Sequence, residues 1–122
     1  MEEYIMTIDE GTTSARAVLF NKDSEIIAIC AKEFAQYYPQ PGWVEQDPKE
    51  IWLTTKEVIN RVVLQAGIDP RQIKAAGITN QRETVVVYDK NTGEPVYNAI
   101  GWADRRTAPY CDELKAAGKE QM

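Results

Sequence analysis

The sequence predicts an α/β protein built on a mixed sheet, and three observations predict it. Its first 35 residues hold three apolar, β-branched runs separated by short polar turns. A long amphipathic stretch with start and stop signals follows, and another short apolar run comes directly after it. Strands, then a helix, then a returning strand is the pattern of a sheet with a helical crossover.

Residues 4–9, 15–21 and 25–35 read as consecutive strands joined by tight turns, the second being Asn21-Lys22-Asp23-Ser24, so they form an antiparallel meander. Tyr37-Tyr38-Pro39-Gln40-Pro41-Gly42-Trp43-Val44-Glu45 carries two prolines and a glycine, which exclude helix and set an extended, turning connection. Asp47-Pro48-Lys49-Glu50 supplies an N-cap, a proline at the first helical position and an acid at the third. That helix runs to about Ala66. Ile51, Thr55, Val58, Ile59, Val62, Val63 and Ala66 share one face, and Gly67 is placed to end it. Residues 73–79 read as a strand that returns after a helix, parallel to an earlier one. Residues 84–88 and 96–102 read as two further strands around the turn at 89–93. Residues 105–117 read as a second helix, with Cys111 and Leu114 inward and Gly118 as its stop. The expected order is β-β-β-α-β-β-β-α.

At 122 residues the chain is long enough for one modest domain and too short for a large two-lobed enzyme. A net charge of −5 and scattered basic residues, with Arg105-Arg106 the sole doublet, argue against a nucleic-acid footprint. No histidine occurs, which removes the commonest general base and leaves acid–base work to carboxylates. Cys30 and Cys111 lie far apart with no CxxC pair, so neither a zinc site nor a disulfide is indicated, and buried reduced thiols are expected. The acidic start Met1-Glu2-Glu3-Tyr4 and the lack of a long apolar run make a cytoplasmic location without membrane insertion the expectation.

Two polar clusters carry chemistry. Asp9-Glu10-Gly11-Thr12-Thr13-Ser14-Ala15-Arg16 lies between two apolar strands. Such a hairpin is either an ordinary turn or a phosphate grip, in which glycine admits an anion close to the backbone and N–H groups and hydroxyls donate to it. Asp9, at a strand end, suits Mg²⁺, which takes hard oxygen ligands and keeps several waters. It is not a Walker A loop, which needs a lysine and a following helix. The second cluster, Thr79-Asn80-Gln81-Arg82-Glu83-Thr84, sits where one strand ends and the next begins. Arg82 and Glu83 read either as a solvated charge pair or as neighbouring donor and acceptor for a polyhydroxylated ligand. Trp102 reads by itself as core, and beside such a ligand as an apolar wall.

Together these residues resemble the FGGY carbohydrate kinases, relatives of actin and hexokinase with a ribonuclease-H-like core. The hairpin Asp9-x-Gly11-Thr12-Thr13-Ser14-x-Arg16 is similar to their first phosphate loop. Pro41-Gly42-Trp43-Val44-Glu45, the run 79–84, and Tyr97-Asn98-Ala99-Ile100-x-Trp102-x-Asp104-Arg105-Arg106-Thr107 resemble the glycerol kinase branch. The resemblance implies ATP-dependent phosphorylation of glycerol to sn-glycerol 3-phosphate. It places Gly11, Thr12, Thr13, Ser14 and Arg16 at the nucleotide phosphates, Asp9 at Mg²⁺, Arg82 and Glu83 on glycerol hydroxyls, and Trp102 against its carbons. It further implies a homo-oligomeric full-length protein. This chain would be the front part of its first domain, inactive alone, with the catalytic base, a further glycerol-site tyrosine, the second phosphate loop and the adenine pocket downstream. Glu10 departs from the glutamine common in that branch, adding acid to the metal side of the turn, and Gly101 and Ala103 stand where larger residues flank the tryptophan. The alternatives are a kinase for another polyol or a ketose such as xylulose, and a non-catalytic binding module of actin-like ancestry.

Overall fold

The computed structural model describes residues 1–120. Strands β1 (Tyr4–Glu10), β2 (Ser14–Phe20) and β3 (Ile26–Glu33) form the meander. A two-residue strand β4 (Glu45–Gln46) leads into helix α1 (Pro48–Ala66). A single 3-10 turn at Pro70–Gln72 opens onto β5 (Ile73–Thr79), followed by a second two-residue strand β6 (Ala99–Ile100) and helix α2 (Ala108–Ala116). The main sheet has the order β3-β2-β1-β5, with β5 parallel to β1 and the other pairs antiparallel. The mixed α/β sheet and its crossover agree with the sequence reading.

Alternation along the strands decides which side is covered. Tyr4, Met6, Ala15, Ala17, Leu19, Ala28 and Cys30 are buried with Val58 and Val62 of α1 in one core. The opposite face leaves Ile5 and Ile29 exposed. Small residues on β2 and β3 let α1 lie close over the sheet, so the apolar area removed from water is concentrated at Leu19, Val58 and Val62. Asp47 caps α1 by accepting the Lys49 N–H, and Gly67 ends it at φ 65°, a left-handed conformation that glycine adopts without strain. Glu50 is engaged outside the helix: its carboxylate accepts from the Ala35 N–H at 2.8 Å and the Tyr37 hydroxyl at 3.0 Å. It thereby pins the chain leaving β3. Among the described residues, no helix is long and apolar enough to cross a membrane.

Three expectations are corrected. Residues 84–88 and 96–102 do not make two full strands. Val85 pairs with Ile100 and Tyr88 with Pro95, so three steps along one side face five along the other. Pro95, lacking an N–H, cannot extend a ladder. The regular part of the second segment shrinks to β6, whose partner is β4 inside the supposed connection. Helix α2 begins at Ala108 rather than Arg105, because the Arg105 N–H donates to Gly42 O at 2.8 Å and Arg106 is held by acids. Cys30 is buried as expected, but Cys111 is exposed and α2 carries no buried residue.

What holds the segment after β6 is an ion cluster. The Glu45 side chain, 2% exposed, accepts from Arg106 Nη2 at 2.7 Å, the Tyr97 hydroxyl at 2.8 Å and Asn98 Nδ2 at 3.1 Å. Asp104 accepts from Arg106 and from the Val44 N–H at 2.7 Å. The Arg106 guanidinium lies 3.8 Å from the Trp43 ring centroid. Burial pushes the Glu45 carboxyl up, but hydrogen bonds from Arg106, Tyr97 and Asn98 outweigh it and hold it below its usual value. The hydrogen bonds from Arg106 hold Asp104 at about 2. Every member is paired, which is the condition for a buried charge cluster to be tolerated.

Two outcomes follow from this packing. Leu19→Ala, at a fully buried position, should destabilise the fold by about 2–5 kcal/mol in chemical denaturation. Asp104 titrates lower folded than unfolded, so its contribution is complete above the ordinary carboxylate value of 3.8 and is lost as pH falls through about 2. Asp104→Asn should therefore lower stability near neutrality, with the gap from wild type narrowing across that acid window in pH-dependent melts.

Candidate functional site

The two polar clusters meet because β1 and β5 run parallel. Their register aligns Asp9 with Thr79, so the hairpin after β1 and the loop after β5 leave the same end of the sheet. Carboxyl ends of neighbouring parallel strands are where open α/β sheets bind ligands.

The hairpin turn closes by the Gly11 N–H donating to Ser14 O at 2.9 Å. A Cβ at position 11 would stand 2.9 Å from that same carbonyl oxygen, so only glycine fits. Asp9 and Arg16 face each other across the ladder and pair at 3.0 Å, with side chains 40% and 53% exposed respectively. Strand alternation sends Glu10 to the other face. There its Oε1 accepts from the Thr55 hydroxyl of α1 at 2.7 Å, and its buried Oε2 has no partner. Glu10 therefore does not add acid beside Asp9, which corrects the sequence expectation. No cluster of three histidine, cysteine or acidic residues able to hold a metal occurs among the described residues. A half-exposed carboxylate with one oxygen on Arg16 fits Mg²⁺ that keeps its waters and takes remaining oxygens from phosphates.

The loop after β5 turns sharply, with Glu83 at φ 67°. A non-glycine residue in the left-handed region is sparsely populated and persists where neighbouring contacts enforce it. Here the Thr84 hydroxyl donates to Gln81 Oε1 at 2.9 Å, and Val85 is bridged to Ile100. Thr12, Asn80, Gln81, Arg82, Glu83 and Trp102 line one open hollow of about 510 Å³. Arg82 and Glu83 make no ion pair among the described residues. Trp102 is 55% exposed, so it is a wall of the hollow rather than core. Its indole Nε1–H donates to Thr12 Oγ1 at 3.0 Å, tying the wall to the hairpin. The structure thus brings Thr12, Arg82, Glu83 and Trp102 around a common space. Gly11, Thr13 and Ser14 share the turn with Thr12, while Asp9 and Arg16 sit lower in the hairpin and do not line the hollow.

Sequence reasoning missed Gln36 and Gln46, which lie beneath this surface. Gln46 is fully buried; its Nε2 donates to Thr12 O at 2.8 Å and to Gln36 Oε1 at 3.0 Å. Gln36 Nε2 also donates to Thr12 O, at 3.1 Å. Gln81 Nε2 donates to Gln46 Oε1 at 2.7 Å. A polar residue just before an N-cap gives no periodic signal of burial.

The chain matches the model of the FGGY family of carbohydrate kinases, N-terminal domain, over residues 4–122. It is 59% identical over 121 residues to the glycerol kinase of Chromobacterium violaceum, covering 99% of this chain and 24% of that protein. Among solved structures, it superposes on ligand-bound xylulose kinase from Lactobacillus acidophilus with a TM-score of 0.89 at 27% identity, covering 98% of this chain and 24% of that one. Against Plasmodium falciparum glycerol kinase with ADP the TM-score is 0.84 at 32% identity, over 94% and 23% of the two chains. The chain spans about a quarter of the length of the curated relatives it matches. By the family model and by its architecture, this chain belongs to the FGGY family of carbohydrate kinases.

Proposed function

We propose that the chain is the amino-terminal part of a kinase that transfers the terminal phosphoryl group of ATP to glycerol, giving sn-glycerol 3-phosphate. One observation carries this reading: the tip of a phosphate-type hairpin and an unpaired Arg82-Glu83 couple open onto the same hollow, which Trp102 also lines. The guanidinium donates to one hydroxyl of the acceptor and the carboxylate accepts from its neighbour, while the indole covers the carbons. An acceptor lacking a hydroxyl would leave one of these groups unpaired, which is how such a site discriminates. Thr12, Thr13 and Ser14 supply hydroxyl and amide donors to phosphoryl oxygens, and Arg16 adds positive charge near them. Asp9 would hold Mg²⁺, which neutralises phosphate charge when bound. The remaining groups needed for transfer, including a catalytic base, belong to sequence outside this chain. The expected setting is the cytoplasm, and the intact enzyme is expected to be a homo-oligomer.

The likeness to xylulose kinase supports a second reading, a ketose acceptor on the same hairpin. That superposition reports the shared fold, whereas the run 79–84, which we assign to the acceptor, resembles the glycerol kinase branch. Identity of 59% to a glycerol kinase therefore favours glycerol. Phosphorylation rates of the intact enzyme on glycerol and on xylulose decide between them, and a preference for xylulose overturns the first reading.

In the intact enzyme, Arg82→Ala should raise KM for glycerol roughly ten- to a hundredfold, the cost of a lost charged hydrogen bond, and change KM for ATP much less. Equal loss of both would mean that Arg82 is structural. Asp9→Asn should lower kcat by roughly a hundredfold with little effect on KM for glycerol, and unchanged turnover across a magnesium titration would remove its assigned role.

A further inference from the structure

A closed circuit of hydrogen bonds joins the two halves of the site. It runs from the Trp102 backbone N–H to Thr84 Oγ1 at 3.2 Å, and from the Thr84 hydroxyl to Gln81 Oε1 at 2.9 Å. It continues from Gln81 Nε2 to Gln46 Oε1 at 2.7 Å and from Gln46 Nε2 to Thr12 O at 2.8 Å. The Trp102 indole closes it by donating to Thr12 Oγ1 at 3.0 Å. Trp102 donates at both of its links and Thr12 accepts at both of its own, so both arms of the circuit run from Trp102 to Thr12. Flipping the Gln46 or Gln81 amide would set like groups face to face, so each holds one orientation.

Thr12 is gripped on its carbonyl by Gln46 and Gln36 and on its hydroxyl oxygen by the indole. With a lone pair taken by the indole N–H, the Thr12 hydroxyl proton is left to donate to a phosphoryl oxygen. Whatever fixes Trp102 therefore also fixes the donor that faces the nucleotide. We propose that Gln46 and Gln81 are positioning residues that couple the two subsites, so that an acceptor against Arg82, Glu83 and Trp102 pre-orders Thr12 for phosphate, and nucleotide does the reverse. This inference rests on the kinase reading given above. The physical reason is the cost of a partial circuit: without the Gln81 amide, the fully buried Gln46 carbonyl loses its donor and Thr84 loses its acceptor. The loop and the hairpin are then joined only through the Trp102 indole and the strands beneath them.

The test is calorimetric binding of a non-hydrolysable MgATP analogue to the intact enzyme, with and without saturating glycerol. Coupling is the ratio of the two dissociation constants, and wild type should show at least about fivefold tightening. Gln81→Leu and Gln46→Leu should bring the ratio below about twofold. Thr84→Val, which cuts the circuit with a near-isosteric side chain, should do the same while leaving the melting temperature within a few degrees of wild type. It keeps the test decisive if a glutamine variant fails to fold. A merely structural role would weaken both dissociation constants and leave their ratio unchanged, and that result overturns the proposal, as does a wild-type ratio near one. If the enzyme phosphorylates only another polyol or ketose, the glycerol assignment fails, and the same ratio measured with that acceptor still judges the coupling.

Discussion

The site depends on one constraint, the fully buried side chain of Gln46 beneath the hairpin tip. A primary amide there has two donors and an acceptor to satisfy, and leaving any of them bare inside the protein costs free energy comparable to a lost hydrogen bond. Its partners are Thr12, Gln36 and Gln81, which come from the hairpin, the segment after β3 and the loop after β5. Satisfying that one side chain therefore ties together three segments distant in sequence.

Around this point the fold divides into a stiff part and a presented part. The meander and α1 share an apolar core, and their register places Asp9, Gly11 and Arg16 without help from any ligand. The loop at 80–84 has little core of its own. It is positioned by parallel pairing of β5 with β1, by the left-handed turn at Glu83, and by the bridge from Val85 to Ile100. Behind it, the Glu45–Arg106–Asp104 cluster anchors the segment that carries Trp102, since Trp102 lies just ahead of two residues locked by that cluster. Exposed groups reach the hollow because buried charges hold their backbone.

Much of this was legible in the sequence. Asp47-Pro48 and Gly67 bracket α1 because capping chemistry is local, and the three strands of the meander follow from apolar runs between polar turns. The candidate site residues stood out because hydroxyls, acids and an arginine gather at strand ends. What was not legible depends on partners far along the chain. Residues 84–88 have strand composition, yet their neighbours at 95–100 meet them in two incompatible registers. Cys111 and Leu114 have helical spacing, yet α2 buries no residue. Glu10 follows Asp9 in sequence but points to the opposite face of the sheet, where it meets Thr55. Trp102 is half exposed and its indole nitrogen is held by Thr12, a contact spanning 90 residues that no local pattern encodes.

The most direct measurement is a crystal structure of the intact enzyme with glycerol and a non-hydrolysable MgATP analogue bound together. The account predicts glycerol hydroxyls on Arg82 and Glu83, a phosphoryl oxygen within hydrogen-bond reach of the Thr12 hydroxyl, and the Trp102 indole still donating to Thr12 Oγ1. Phosphates seated away from Gly11–Ser14, or an indole swung clear of Thr12 when both ligands are present, would contradict it.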